Sequence, residues 1–393
     1  MGLAGGIIRR PAEMTDAVPA AFDTWVDPLP PGADAALVTH VRHQALLRCY
    51  QARYVVLPET APVGGVLAHL DRHYDEDRMQ ALYRQKGALE AELIAPLWAK
   101  AGATVGDGDV LAFVGRLLPE LRAVKSDPFL DALVDNDHRR HHYENFLLQS
   151  SADLLAEASA SALSCIGEFG APQSALFRIL IDEFGYGTHD KKHSVLYRAT
   201  LRSFGLDDAY NGYSRLFDTN TLVLHNAVHW LFQNPRNIFG QVGFLLFAET
   251  AYQRSTLFHA RHLGRFHPQA DARYFAEHAH IDLHHTKMVV DEVVTPFVDR
   301  FGAEIGPEII AGAELTRAVF ARSGAGLLGL VEAFDRSPSA TFGLGPHGGR
   351  LVTPATRIDE PGARVQVGAI GAVSAADFAR FPAGSIGRLA DAH

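Results

Sequence analysis

Apolar residues recur along most of this chain every three or four positions, which is the period of an amphipathic α-helix. Proline and glycine interrupt the pattern and divide it into segments of helical length. We find neither a βαβ rhythm nor a repeat of fixed period, so Rossmann and TIM-barrel folds have little support. The pattern therefore predicts an all-α fold. The predicted helices span residues 36–56, 62–73, 77–101, 108–124, 127–138, 142–167, 172–185, 190–204, 208–217, 219–233, 237–263, 269–301 and 306–335.

Helix length, charge and Gly/Pro content change along the chain, and these changes predict four parts. A charged run over residues 135–142 precedes the longer helices, and a Gly/Pro-rich texture begins after the last helix. In that last part, 342–349 is a predicted loop, and Arg350–Thr353 and Val365–Ile370 are candidate short strands. The predicted parts are a loosely ordered N-terminus (1–33), an N-terminal helical domain (34–140), a helical bundle (141–335) and a small C-terminal extension (336–393).

Composition and charge narrow the class of protein. A net charge of −9 without a strong Lys/Arg cluster leaves no basic surface to neutralise phosphates, so nucleic acid is not an expected partner. Only Cys49 and Cys165 are present, which argues against a disulfide framework and fits a reducing cytoplasm, although one bridge between them stays open. We see no signal peptide, and the apolar stretches are shorter than the ~20 residues that cross a bilayer. We expect a cytoplasmic protein without a membrane partner.

One predicted helix carries three potential metal ligands on a single face. His278, Asp282 and His285 follow one another at i, i+4 and i+7, so at about 100° per residue they span an arc of roughly 60°. His280 and His284 fall on other faces of the same helix. Imidazole and carboxylate groups suit iron, manganese or zinc. A solvated His-rich helix would show the same pattern, so the decision depends on other helices.

A metal site in a helical bundle draws ligands from several facing helices, and Glu157 is a first further candidate. It lies among small residues that would let helices approach closely. Leu154, Ser161 and Ser164 share its predicted helix face, which favours an inward position over an ordinary surface position.

Glu183 ends an apolar predicted helix, and His193 begins the next one. On a straight helix, ten residues would leave their directions about 80° apart, but Gly185 and Gly187 can break the helix and re-aim both side chains. We therefore expect Glu183 and His193 to converge on one site. The side chain of Asp182 would point about 100° away from that of Glu183, so we do not expect it to join them.

Glu249 is a lone carboxylate in an almost wholly apolar predicted helix. Such a group is costly to bury unless it is paired or bound to a cation. A salt bridge to an arginine such as Arg254 would satisfy it equally well, so both readings stay open. His225 and His229 form an i, i+4 pair without an accompanying carboxylate, and we interpret them as pocket-lining or core-edge histidines. The weaker ligand candidates are Glu168 and His189.

The spacings Glu-x25-Glu-x9-His and His-x3-Asp-x2-His, taken together, resemble those of the heme-oxygenase-like diiron oxidases, also described as iron-containing redox enzymes. The resemblance covers about residues 142–335 and is closest to the N-oxygenase branch. It implies a heme-oxygenase-like helical bundle, with an N-terminal helical domain that supports a homodimer. It also implies that the metal ligands, which form the catalytic centre, are Glu157, Glu183, His193, Glu249, His278, Asp282 and His285.

This resemblance also implies a cofactor and a reaction. The expected cofactor is two Fe(II) ions, with O2 as co-substrate, an external electron donor and a reductase as a candidate partner. The expected activity is N-oxygenation, through an iron-bridged peroxide, of an amine or guanidine-type nitrogen to hydroxylamine or nitro, in natural product biosynthesis. Examples are conversion of 2-aminoimidazole to 2-nitroimidazole and oxidation of an arginine derivative. The alternatives are desaturation or oxidative C–C cleavage on the same fold, and a non-catalytic metal-binding helical protein.

The C-terminal part departs from the branch that this chain resembles. There, a C-terminal cupin binds a further iron and performs a second reaction. Residues 336–393 offer only His347 and His393 as histidine ligands. We therefore expect the cupin and its second reaction to be absent.

Overall fold

The computed structural model is helical over nearly all of the chain that it describes, in agreement with the predicted all-α class. The predicted loose N-terminus (1–33), the loop 342–349 and the candidate strand Arg350–Thr353 lie outside the described residues. Those described are 35–57, 64–106, 108–211, 213 and 217–336, with the backbone of 364–366 and 372–374.

The helices follow the predicted order closely, with shifts of a few residues at most ends. We number the α-helices in chain order, and short 3₁₀ and π turns lie between some of them. The helices are α1 (Ala35–Gln51), α2 (Val66–His73), α3 (Glu76–Leu93), α4 (Ala95–Gly102), α5 (Val110–Arg122), α6 (Pro128–Leu133), α7 (Arg139–Leu154), α8 (Ser159–Ser164), α9 (Ala171–Glu183), α10 (His193–Phe204), α11 (Thr219–Gln233), α12 (Ile238–Phe266), α13 (Arg273–Met288), α14 (Thr295–Phe301) and α15 (Gly306–Arg336).

Three predicted helices are wrong in part. The span 77–101 is divided at Ile94 into α3 and α4. The span 142–167 is divided into α7 and α8, because Ala158 adopts a left-handed backbone conformation (φ 66°) that no α-helix can continue through. The span 208–217 forms no helix in its described residues. There, the side chain of Asp207 accepts a hydrogen bond from the Ala209 N–H and Asn211 has a positive φ of 59°, so local turns replace the helix.

The predicted helix 269–301 is continuous in direction but not in hydrogen bonding. A π-helical turn, Val289–Val294, separates α13 from α14. Its residues Val289, Val293 and Val294 are fully buried and join the largest apolar cluster. Such wide turns occur often at functional sites, and this one follows directly after α13.

The centre of the bundle depends on the close approach of α12 and α15. A Cβ atom on Gly243 would lie 1.9 Å from the carbonyl oxygen of Ile309, and one on Gly312 would lie 2.0 Å from that of Gly240. Glycine is therefore required at these positions by the space between the two backbones. On another side, α12 packs along α13, so it links the central contact to the His-rich helix.

The N-terminal helices pack directly on the bundle. Helix α1 lies against α11, α4 against α15, and α5 against α12. The largest apolar cluster accordingly includes Val110 and Phe113 of α5 together with Val242 and Ile309 of the bundle. The boundary near residue 140 stays a prediction.

Two further sequence expectations concern cysteines and membranes. Cys49 and Cys165 are both buried and free, so the open alternative of a bridge between them is wrong. Among the described helices, none has the length and apolar character needed to span a bilayer. In the C-terminal part, β1 (Arg364–Gln366) pairs antiparallel with β2 (Ala372–Ser374), and β1 overlaps the predicted strand Val365–Ile370.

We expect Gly312→Ala to destabilise the protein by about 3 kcal/mol, because the new methyl group would collide with the backbone of α12. The matched control is Gly329→Ala on the same helix, where a Cβ atom meets nothing within 4 Å and should stabilise by up to ~1 kcal/mol. Denaturant unfolding followed by circular dichroism measures both. Equal stability of the two variants would contradict the close-approach argument.

Candidate metal centre

Helix α13 presents His278, Asp282 and His285 to the interior, as their spacing predicts. His285 is fully buried and Asp282 is 1% exposed, whereas His280 and His284 are exposed on other faces. The Nδ1 atom of His278 lies 3.1 Å from the carbonyl oxygen of Tyr274, and donation to this acceptor leaves Nε2 free to bind a cation. The solvated-helix alternative is therefore wrong for this face.

Glu183 and His193 meet across a sharp connection. Helix α9 ends at Glu183, two 3₁₀ turns follow, and α10 begins at His193. Gly185 has a φ of 70°, and a Cβ atom there would lie 2.3 Å from the backbone nitrogen of Lys192, so only glycine fits. The turn leaves His193 Nδ1 2.6 Å from Glu183 Oε2. The glycines thus bring the two side chains together as expected.

Glu157 reaches the same place, but not by the predicted route. It lies in the break between α7 and α8, so the helix face that it was expected to share with Ser161 and Ser164 does not exist. Its Oε1 atom accepts a hydrogen bond from the Tyr274 hydroxyl at 2.8 Å and lies 3.2 Å from His278 Nε2. The inward position was correct, and its structural reason was wrong.

Glu249 points from α12 toward α13. Its Oε2 atom is 3.2 Å from His285 Nδ1. Arg254, the alternative partner, instead donates a hydrogen bond to the carbonyl oxygen of Val124 and stacks on Phe258. Glu249 therefore faces the histidine cluster rather than a salt bridge with this arginine.

These side chains form two groups of potential ligand atoms that share one residue. Within each group, the atoms lie within 4.8 Å of one another. The first group is Glu157, Glu183, His193 and His278, and the second is Glu183, Asp282 and His285. Glu249 adjoins the second group through its contact with His285. Glu183 is therefore the residue through which the two groups are joined.

Several polar atoms in these groups are buried without a hydrogen-bond partner among the described residues. They are Oε2 of Glu157, Nε2 of His193 and both carboxylate oxygens of Asp282. Leaving such atoms unsatisfied costs about 1–3 kcal/mol each, and more when they are charged. A set of imidazole nitrogens and carboxylate oxygens is the donor chemistry of iron, manganese and zinc. The residues therefore fit a metal site.

The electrostatics of the cluster agree with this fit. Burial lowers the pKa of His278, but the carboxylates of Glu157 and Asp282 raise it well above its ordinary value. For His285, burial is again outweighed, chiefly by Glu249, and the pKa rises to about 10. Burial raises the pKa of Asp282 well above its usual range. Protons on these groups thus compensate the excess negative charge of the cluster. Bound divalent cations would compensate the same charge.

The pKa of Glu183 is shifted in the opposite direction from that of Asp282. Burial raises its pKa, but the imidazoles of His193 and His278 outweigh burial and bring the value below the ordinary one. The residue shared by both groups is therefore held in its ionised form. An ionised carboxylate with two oxygens is the form that can bridge two metals.

The weaker candidates do not join the cluster. Glu168 is exposed and accepts a hydrogen bond from the Gly170 N–H, and His189 lies exposed in a 3₁₀ turn. His225 is buried and lines a neighbouring cavity, and His229 is buried with its Nδ1 atom 3.2 Å from the Tyr54 hydroxyl. The interpretation of the last two as pocket-lining and core-edge residues agrees with these positions.

Sequence reasoning missed two residues that position the cluster. Asp182, expected to point away, has its Oδ2 atom 3.3 Å from His285 Nε2, on the opposite side of the ring from Glu249. Tyr274 holds both Glu157 and His278. Asp182 and Glu183 do point in different directions from their helix, but the buried ring of His285 lies between them and contacts both carboxylates. No periodicity in the sequence could have indicated this.

Part of this chain is similar to a known family. Residues 144–320 match the family described as iron-containing redox enzyme. The match lies within the helical bundle and covers less than half of the chain, and it confirms the resemblance to the heme-oxygenase-like family that was drawn from the spacings.

The chain is also similar in sequence to a particular protein. The chain is 36% identical over 197 residues to nitrosourea synthase from Streptomyces achromogenes subsp. streptozoticus. This match covers 50% of the chain and 42% of the relative, so the chain spans less than half of that relative's length.

We expect Asp182→Asn to weaken metal binding at the group that contains His285 by roughly 10- to 100-fold, because the ring loses its charged hydrogen-bond partner. Anaerobic titration of the metal-free protein with Mn(II) or Fe(II) measures the affinity. Asp190→Asn, at an exposed carboxylate in the following turn, is the matched control and should bind normally. Unchanged affinity in Asp182→Asn would show that this carboxylate does not position His285.

Proposed function

We propose that this protein is a diiron, O2-dependent N-oxygenase that acts on a small amine or guanidine-type compound in natural product biosynthesis. The observation that carries the proposal is the pair of ligand groups joined by Glu183, with buried acceptor atoms that lack partners. The similarity to nitrosourea synthase supports N-oxygenation over the other reactions of such a centre.

The residues that would hold the two ions follow from the geometry. One ion would be held by Glu157, His193 and His278, and the other by Asp282 and His285, with Glu183 shared between them. Glu249 would complete the second set from α12. When bound, two ferrous ions supply the electrons and the open coordination positions that reductive activation of O2 requires.

The protein's own groups orient these ligands and limit their movement. The Tyr274 hydroxyl donates to Glu157, and its backbone carbonyl accepts from His278. Asp182 holds the far side of the His285 ring. Hydrogen bonds of this kind fix the imidazole tautomer and the direction of the ligand lone pair. The centre is therefore preorganised by residues on several helices.

Apolar side chains line part of the cavity that contains the centre. Its cavity of about 90 Å³ is lined in part by Leu176, Ile179, Phe232 and Phe244, and the last of these is 8% exposed. Excluding water strengthens the electrostatic interactions inside the cavity and protects reactive species from side reactions.

Two functions compete with this proposal. The same fold and cofactor could perform desaturation or oxidative C–C cleavage, because fold alone does not choose the reaction. A non-catalytic protein would bind metal without reacting with O2. The identity of the product and the reaction with O2 distinguish these functions from N-oxygenation, so the test measures both.

We further propose a homodimer, an external reductase as electron donor, and a cytoplasmic location. The N-terminal helical part exposes the large apolar side chains of Val55, Leu57, Leu67 and Tyr83, which supports a protein interface there. Two buried free cysteines agree with a reducing compartment. Sedimentation velocity measures the oligomeric state.

The test of the proposed function combines a reaction with a variant. Anaerobic protein loaded with Fe(II) is mixed with O2 in a stopped-flow spectrometer, and candidate amines, guanidines, amino acids and fatty acids are then supplied. We expect an O2-dependent absorption change and, by mass spectrometry, a hydroxylamine or nitro product. An alkene or aldehyde as the only product would replace N-oxygenation with C–H or C–C cleavage. Metal uptake without any reaction with O2 would support the binding protein.

His285→Ala should abolish assembly of the diiron centre, because this ring contacts four carboxylates of the cluster. We expect loss of bound iron together with loss of O2 consumption and product. His284→Ala is the matched control, since His284 is adjacent but exposed, and it should keep both irons and full activity. Two irons retained in the His285 variant would refute the ligand assignment.

A further inference from the structure

A second cavity adjoins the metal centre. It has a volume of about 230 Å³ and is walled by one face of each of five helices, α7, α11, α12, α13 and α15, and by Asp127 and Phe129 at the start of α6. Helix α7, for example, contributes Phe146, Gln149, Ser150 and Asp153. Their spacing of three or four residues places them on one face of the helix. The cavity is large enough for a small organic molecule.

The two cavities have three residues of their walls in common. Asp153, Tyr252 and His278 line both the larger cavity and the smaller one that holds the ligand groups. A molecule in the larger cavity would therefore meet the metal centre at this end. From Asp153 back to Phe146, the wall extends seven residues along α7, or about 10 Å at 1.5 Å per residue.

Asp153 is the carboxyl group at this junction, and its side chain has no hydrogen bond or ion pair with any described residue. Burial and the negative charges of Glu157 and Glu183 raise the pKa of Asp153 to about 7. A carboxylate in a cavity without a partner is costly unless a cation meets it. Metal ligation does not account for it, since Asp153 belongs to neither ligand group.

Apart from His278, which belongs to the metal centre, the cavity wall supplies no positive charge. Among the described residues that line it, there is no lysine or arginine. Burial lowers the pKa of both His225 and His259 to about 4, so these rings are neutral near pH 7. His259 is also enclosed between the rings of Phe146 and Phe275. Besides Asp153, the lining contains the carboxylate of Asp127, so a positively charged occupant fits best.

We infer that the larger cavity binds the substrate and that Asp153 holds a guanidinium- or amidinium-type group of that substrate beside the metal centre. Such a planar cation has several nitrogens, so one N–H edge can pair with the carboxylate while another nitrogen faces the metal ligands. A simple amine held by Asp153 would have its only nitrogen engaged. This inference rests on the proposed function and narrows its substrate class.

The first arm of the test compares three ligands of similar shape and different charge. Butylguanidine is cationic, butylurea is neutral, and pentanoate is anionic. Binding to the full-length protein in the presence of Mn(II) and without O2 is measured by isothermal titration calorimetry, so no turnover is needed. We expect butylguanidine to bind at least ~10-fold more tightly than butylurea, and pentanoate not to bind. Equal binding of the urea, or tighter binding of pentanoate, would overturn the inference.

The second arm uses Asp153→Asn, which keeps the size of the side chain and removes its charge. It should weaken butylguanidine binding by ~10- to 100-fold and leave butylurea binding unchanged, whereas Asp153→Glu should restore part of the affinity. Asp137→Asn is the control, because Asp137 is exposed just before α7 and does not line the cavity. Unchanged guanidine affinity in Asp153→Asn would overturn the assignment.

The outcomes separate this inference from the proposed function. If the protein binds guanidines through Asp153 but forms no N-oxygenated product, the substrate class stands and N-oxygenation fails. A second outcome is that an N-oxygenated product forms and the KM for the substrate is the same in the wild type and in Asp153→Asn. In that case the proposed function stands and the role of Asp153 fails. A raised KM with little change in kcat is the result expected for a binding residue.

Discussion

Buried negative charge is the constraint on which the rest of this structure depends. Four carboxylates and three imidazoles share the space between α9, α10, α12 and α13 and the break after α7, and several of their atoms have no hydrogen-bond partner among the described residues. Placing ionised groups in a protein interior costs several kcal/mol each unless opposite charge compensates them. Protonated imidazoles offset part of this cost in the absence of metal. Divalent cations compensate it directly, so metal binding and the stability of the bundle core are thermodynamically linked.

Holding this cluster together requires two tight features elsewhere in the fold. The backbones of α12 and α15 approach closely enough that only glycine fits at Gly243 and Gly312. This contact sets the position of α12, which carries Glu249, relative to the bundle. Gly185 allows the turn that places His193 against Glu183. Small residues far apart in sequence therefore control distances between ligands, because side-chain bulk at any of them would move a whole helix.

The junction between the two cavities relates the fold to its proposed chemistry. His278 contacts the ligand cluster on one side and lines the larger cavity on the other, and Tyr252 and Asp153 lie at the same boundary. A substrate held there would be close to the metals without displacing their ligands. The neutral histidines and aromatic rings of the larger cavity add shape without adding charge. The charge of Asp153 thus selects for a cationic substrate, and the surrounding helices determine the shape of the substrate that fits.

The sequence by itself determined the elements that local periodicity controls. These include the helix order, the common face of His278, Asp282 and His285, and the break that re-aims Glu183 and His193, since each depends on neighbours within about ten residues. Only the tertiary structure decided how side chains from different helices meet. It placed Glu157 in a loop, directed Asp182 onto the far side of the His285 ring, and left the Asp153 carboxylate unpaired between two cavities. Those positions depend on how close separate helices pack and from which direction, and no periodic pattern within one segment carries that information.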